Sequence, residues 1–132
     1  MGVAATLSCT NCEYSQNVFF GIGFRFLDLR SILEWYKPEE GREQIKAFMH
    51  EEDASVVCYK GVYACEHCGY LLNEVYLHIE SQTQSYTNHY DCPRCHTKMP
   101  EQPFQREVEI DCLGCPECEG GKLGVSYYMD WD

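Results

Sequence analysis

Eight of the ten cysteines stand in four Cys-x-x-Cys pairs: Cys9 with Cys12, Cys65 with Cys68, Cys92 with Cys95, and Cys115 with Cys118. A two-residue gap lets both sulfurs of such a knuckle face one ion, and two knuckles complete a tetrahedral shell. Four pairs therefore supply two four-cysteine sites, and the expected cofactor is zinc, two ions per chain. A shell closed by four thiolates leaves no position for a substrate or an activated water. The expected metal role is structural, and no enzyme activity is expected.

The other reactive side chains form no second centre. Cys58, inside an apolar run, reads as a small buried residue. Cys112 also makes an x2 spacing with Cys115, so it is an alternative ligand. The Pro and Gly of CPECEGG favour Cys115 with Cys118 as the knuckle. His67 lies within a knuckle and His96 follows one, but each site already has four thiols. The segment GIGFR lacks the glycine pattern of a phosphate loop, and no His, Asp or Glu constellation offers acid–base geometry.

Three pairings of the knuckles are possible. Sequential pairing joins Cys9/Cys12 with Cys65/Cys68, and Cys92/Cys95 with Cys115/Cys118. A nested arrangement joins the two inner knuckles across 23 residues and leaves the outer two to share an ion. A crossed arrangement resembles a cross-brace. The sequential one is favoured because a predicted hairpin then feeds each knuckle.

The elements that must position these ligands follow from local pattern. Tyr14 to Phe20 is β-forming and stops at Gly21. Leu29, Ile32, Leu33 and Tyr36 recur at helical spacing after Asp28, a suitable N-cap. A second helix is expected from Glu39 to Glu52. Strands are expected at Val56–Ala64, Tyr70–Ile79, Arg106–Ile110 and in KLGVSYYM. The order knuckle, strand, strand, knuckle, strand thus reads in both halves. The expected fold class is small, α+β and metal-stabilised, with two zinc-ribbon-like β units. Residues 1–80 would form the first, with a helical insertion at about 24–52. Residues 81–91 would be a linker or loop, and 92–132 a compact zinc ribbon. The 19 residues between Cys95 and Cys115 suit a bare ribbon, whereas the 52 between Cys12 and Cys65 require the insertion.

The formal charge is −11 and aromatics make up 14% of the chain. Eight thiolates on two zinc ions would take the charge to about −15. Such a field repels phosphate backbones and argues against nucleic acid. No stretch has the length of a membrane span or of a secretion signal's apolar core. Paired thiols without such a signal favour metal in a reducing cytoplasm over disulfides.

The succession CTNC, GIGF, a helical stretch, SVVCYKGVYACEHCG and two further Cys-x-x-Cys pairs resembles a group of small bacterial zinc-ribbon proteins, mainly of Firmicutes. That resemblance implies metal binding and no particular activity. The functional expectation is a zinc-binding adaptor or regulator that acts by protein–protein contact, with no small-molecule substrate evident. The insertion would be its contact surface, with Phe26 and Trp35 as anchors. The alternatives are a nucleic-acid-binding ribbon and a thiolate-based redox or zinc-responsive switch.

Overall fold

The computed structural model describes residues 2–106, 109–110 and 113–131. It is mostly antiparallel sheet with two short helices. In chain order the elements are β1 (Gly2–Cys9), β2 (Ser15–Gly21), α1 (Leu29–Trp35), α2 (Glu39–Phe48), β3 (Ser55–Ala64), β4 (Leu71–Glu80), β5 (Ser85–Thr87) and β6 (Leu123–Trp131). A single 3-10 turn, Phe24–Phe26, leads into α1. The six strands form one sheet in the order β5-β4-β3-β2-β1-β6.

Asp28 caps α1 as its position implies, its carboxylate accepting from the Ser31 N–H at 2.9 Å. The far end of α1 is closed from α2: Arg42 donates to the carbonyls of Leu33 and Tyr36 at 2.6 and 2.9 Å. The helices lay Ile32, Tyr36, Ile45 and Phe48 against Cys58, Val75, Leu77 and Ile79 of the β3–β4 hairpin. A second core joins the hairpin to the β1–β2–β6 strands through Ala5, Leu7, Val18, Phe20, Val62, Leu71, Ile110 and Leu123.

The seam between these two halves is thin. β2 and β3 share one ladder pair, Gly21 with Lys60. The Asn73 side chain from β4 takes over beside it. Its carbonyl oxygen accepts from the Phe19 N–H, and its amide donates to the carbonyls of Phe19 and Gly61, each at 2.8 Å. One primary amide thus replaces the backbone pairing that the seam lacks.

Four points need correction. β1 was not foreseen: its neighbouring Ala4 and Ala5 are both fully buried, with a register shift between them, so it has no clean alternation. Residues 81–91 are not a plain linker, since β5 pairs with β4 and the buried Asn88 continues that edge. Asn88 accepts from the Leu77 N–H and donates to the Val75 carbonyl and the Tyr36 hydroxyl. In the expected strand Arg106–Ile110, Glu109 and Ile110 lie instead in a 3-10 turn that buries Ile110 in the core, while 107–108 fall outside the described residues. The division into 1–80 and 92–132 does not match the sheet either, because β6 runs antiparallel along the whole of β1.

The seam gives a first test. Asn73→Ala should destabilise the fold by about 1–3 kcal/mol in denaturant unfolding. Asn73→Asp should cost more, because it turns carboxylate oxygens toward two carbonyls that now accept hydrogen bonds.

Candidate metal centres

All eight cysteines of the four knuckles fall into two groups, Cys9, Cys12, Cys115 and Cys118 in one, Cys65, Cys68, Cys92 and Cys95 in the other. Within each group the sulfurs lie within 4.8 Å of one another. This is the nested pairing, and the favoured sequential pairing is wrong. The cause is β6. Its register sets Leu123 opposite Cys9, and Thr10 donates to the Lys122 carbonyl at 3.0 Å, so the knuckle preceding β6 arrives beside the first one. Cys65 and Cys68 sit in the β3–β4 turn, and the chain after β5 returns along the same hairpin to bring Cys92 and Cys95 to it.

Three knuckles are built alike. The N–H groups of Cys9, Cys65 and Cys92 donate to the carbonyls of Tyr14, Tyr70 and Thr97, each five residues on, at 3.0, 2.8 and 2.8 Å. The fourth is one residue longer, with Cys115 donating to Gly121 at 3.0 Å. After the second cysteine the chain must turn with positive φ in three of the four. Gly69 and Gly120 supply it, both at φ 81°, but in the third knuckle His96 is held at φ 64°. A β-carbon makes that conformation costly. His67 and His96 belong to neither group of ligands. Of the two glycines after the last knuckle, Gly120 alone takes positive φ. Gly121 is needed for space: a β-carbon there would collide with the sulfurs of Cys9 and Cys118.

Sulfur separations of 3.5–3.6 Å (Cys9–Cys118, Cys12–Cys115, Cys65–Cys95, Cys68–Cys92) are far longer than the roughly 2.05 Å of a disulfide. Backbone N–H groups point at the sulfurs, among them those of Asn11 and Cys12 at Cys9, Tyr14 at Cys12 and Glu117 at Cys115, at 3.2–3.4 Å. Ionisation within a group is uneven. At Cys9 desolvation opposes the thiolate, but the Asn11 and Cys12 N–H groups win and bring the thiol down to about 7. Cys12 has the Tyr14 N–H in its favour, yet desolvation and the neighbouring sulfurs push it up to about 12. The Tyr70 N–H, with help from Arg94 and against desolvation, lowers Cys68 to about 6. Four sulfurs this close cannot all carry charge unless a cation lies among them.

One side chain ties the two centres together. Arg94, inside the third knuckle, donates to the Cys68 carbonyl at 2.6 Å and to the Pro116 carbonyl at 3.0 Å, and meets the Glu117 carboxylate at 3.3 Å. Its guanidinium lies over the Tyr70 ring, 5.5 Å from the centroid. Nothing in the spacing of the cysteines announces this link. Cys58 is buried in the helix-side core, where desolvation raises its thiol to about 12 and keeps it protonated, as its apolar setting implies. Cys112 lies outside the described residues.

Comparison of the chain with protein-family models, curated proteins and solved structures returned no match.

Two substitutions test this geometry. Gly121→Ala should empty the Cys9/Cys12/Cys115/Cys118 centre and spare the other, which metal quantification would read as one equivalent lost of two. His96→Gly should leave both centres loaded and raise stability by about 1 kcal/mol in thermal or denaturant unfolding, by relieving the left-handed backbone.

Proposed function

We propose that the protein is a non-catalytic, zinc-stabilised cytoplasmic protein that acts by contact with another protein. The observation that carries the reading is the closure of both centres by four cysteines each, with every knuckle used. Zinc at about 2.3 Å from four sulfurs gives a tetrahedron with edges of about 3.8 Å, close to the 3.5–3.6 Å separations between the paired knuckles. An all-thiolate shell offers no open position for catalysis. Free paired thiols suit a reducing compartment, and among the described residues no helix is long and apolar enough to cross a membrane.

The contact role draws on the insertion, with different anchors from those expected. Phe26 and Trp35 are half-buried with their tilted rings 4.9 Å apart, so neither projects as a freely exposed anchor. The most exposed large apolar side chains of the segment are Phe24 at 71% and Leu27 at 61%. Beside Leu27 opens a cavity of about 490 Å3, walled in part by Phe48, Met49 and Val56. Large exposed apolar side chains beside a concavity are suited to protein contact. A chain of charge −11 gives nucleic acid little to hold.

Native mass spectrometry of protein expressed without added metal should give two zinc ions per chain, and chelation should unfold the β1–β6 closure. Iron in their place would overturn the zinc assignment, because a tetrahedral four-sulfur site also accepts iron. The double change Phe24→Ser with Leu27→Ser should keep both ions and the fold but abolish partner retention in pull-downs from native lysate. Unchanged retention would remove the insertion from the contact surface.

A further inference from the structure

A second concavity differs in character from the one beside Leu27. Phe19 from β2, Phe26 from the 3-10 turn, Lys60 from β3 and Trp131 from the end of β6 surround a space of about 250 Å3. The rings form walls rather than a filled stack. Trp131 meets Phe19 edge-on at 6.2 Å and Phe26 at 5.8 Å, with interplanar angles of 82° and 67°. The walls are held from behind. The Trp131 indole N–H donates to the Val3 carbonyl at 2.9 Å. Trp35 packs on the outer side of Phe26, and its own indole N–H is bound by the Arg25 carbonyl at 2.9 Å. A pocket whose rings are fixed before a ligand arrives avoids most of the ordering cost of binding.

The one charged wall is Lys60. Its ammonium lies 5.5 Å from the centroid of the Phe19 ring, and the residue is half-buried. Among the described residues the close acid–base contacts are Lys46 with Glu43, His78 with Glu80 and Arg94 with Glu117, and none of the described carboxylates pairs with Lys60. That is unexpected where 21 acidic residues face 10 basic ones. On its other side Lys60 borders a cavity of about 470 Å3 that it shares with Lys37, Glu74 and Tyr90. Among the residues that line these two cavities the charged ones are Lys37, Lys60 and Glu74, two ammonium groups to one carboxylate. A ring face satisfies part of an ammonium's attraction but takes none of its N–H donors.

We propose that this pocket binds a small organic carboxylate with an aromatic or branched apolar body. The apolar part sits among Phe19, Phe26 and Trp131, and the carboxylate takes the free donors of Lys60 in a charge-assisted hydrogen bond. The volume admits a body of about the size of one large amino-acid side chain. A cationic ligand would gain from the three rings but would meet the Lys60 charge at close range, which separates the pocket from an aromatic cage for ammonium groups. The site uses different side chains from the Phe24 and Leu27 surface, so either can fail alone.

The test uses the full chain in its metal-loaded form and three probes of one shape: 3-phenylpropionate, 3-phenylpropanol and 3-phenylpropylamine. Binding is read by calorimetry and by the fluorescence of Trp35 and Trp131. The carboxylate should bind about tenfold or more tighter than the alcohol, and the amine weakest. Lys60→Gln should bring the carboxylate down to the affinity of the alcohol, while Phe26→Leu should weaken both. The comparison of probes on the unaltered protein decides the matter even if a variant fails to fold. Equal affinity for the three, preference for the amine, or no saturation by the carboxylate in the millimolar range would overturn the proposal. A peptide arm, acetyl-Ala-Ala-Phe as acid and as amide, separates the sources. Tight binding of the acid alone would identify a chain terminus as the ligand, and exclusion of both with 3-phenylpropionate retained would identify a free acid.

Discussion

Crowding of thiols is the constraint from which the architecture follows. Each centre holds four sulfurs within 4.8 Å, and the thiols respond unequally, Cys9 and Cys68 shifting toward the thiolate while Cys12 shifts away from it. A divalent cation removes that conflict, and its binding energy then becomes folding energy, because no such arrangement exists in an unfolded chain. The N–H groups aimed at the sulfurs do the rest. They fix each knuckle's shape through the backbone, so the residues between the cysteines are free to differ, as TN, EH, PR and PE do.

The two centres do different mechanical work. The inner one clamps the segment after β5 onto the β3–β4 turn and stays within a stretch of the chain. The outer one joins the β1–β2 turn to the knuckle before β6 and so fastens the first strand to the last. Because β2 runs antiparallel to β3, both lie at the same end of the sheet, away from the helices between β2 and β3. Arg94 spans the gap between them through carbonyls rather than sulfurs. Those carbonyls are in place only when each knuckle is formed, so the order of one centre supports the order of the other.

The knuckles, the helix cap at Asp28 and the hairpin β3–β4 were legible in the sequence because each depends on neighbours within a few residues. The pairing was not. Sequential pairing closes loops of 52 and 19 residues, nested pairing loops of 102 and 23. Loop-closure entropy separates these by only about 1 kcal/mol, less than the burial of one leucine side chain. The decision lay instead with β1, whose adjacent buried alanines hid it, and with its register against β6. Asn73 and Asn88 were hidden for a related reason. Each uses a side-chain amide where a strand would use backbone, and such residues read locally as turn or loop formers.

Placing the metal at one end of the sheet has a consequence for the other. The hydrogen-bonded seam between the halves is thin, one ladder pair and one asparagine near Gly21 and Lys60, and it is there that Phe19, Phe26 and Trp131 converge. Side chains from β2, β3, β6 and the segment between β2 and β3 reach this corner because β6 pairs along the whole of β1, in the same register that closes the outer centre. Phe26 alone comes from the segment between β2 and β3, yet its ring meets a tryptophan more than 100 residues further along the chain. Four thiolates around each ion would leave no open coordination position, so that the influence of such centres on any surface would be geometric. They would hold together distant strands that the sheet register has already set side by side, and the side chains that meet at the far corner are the three rings and Lys60.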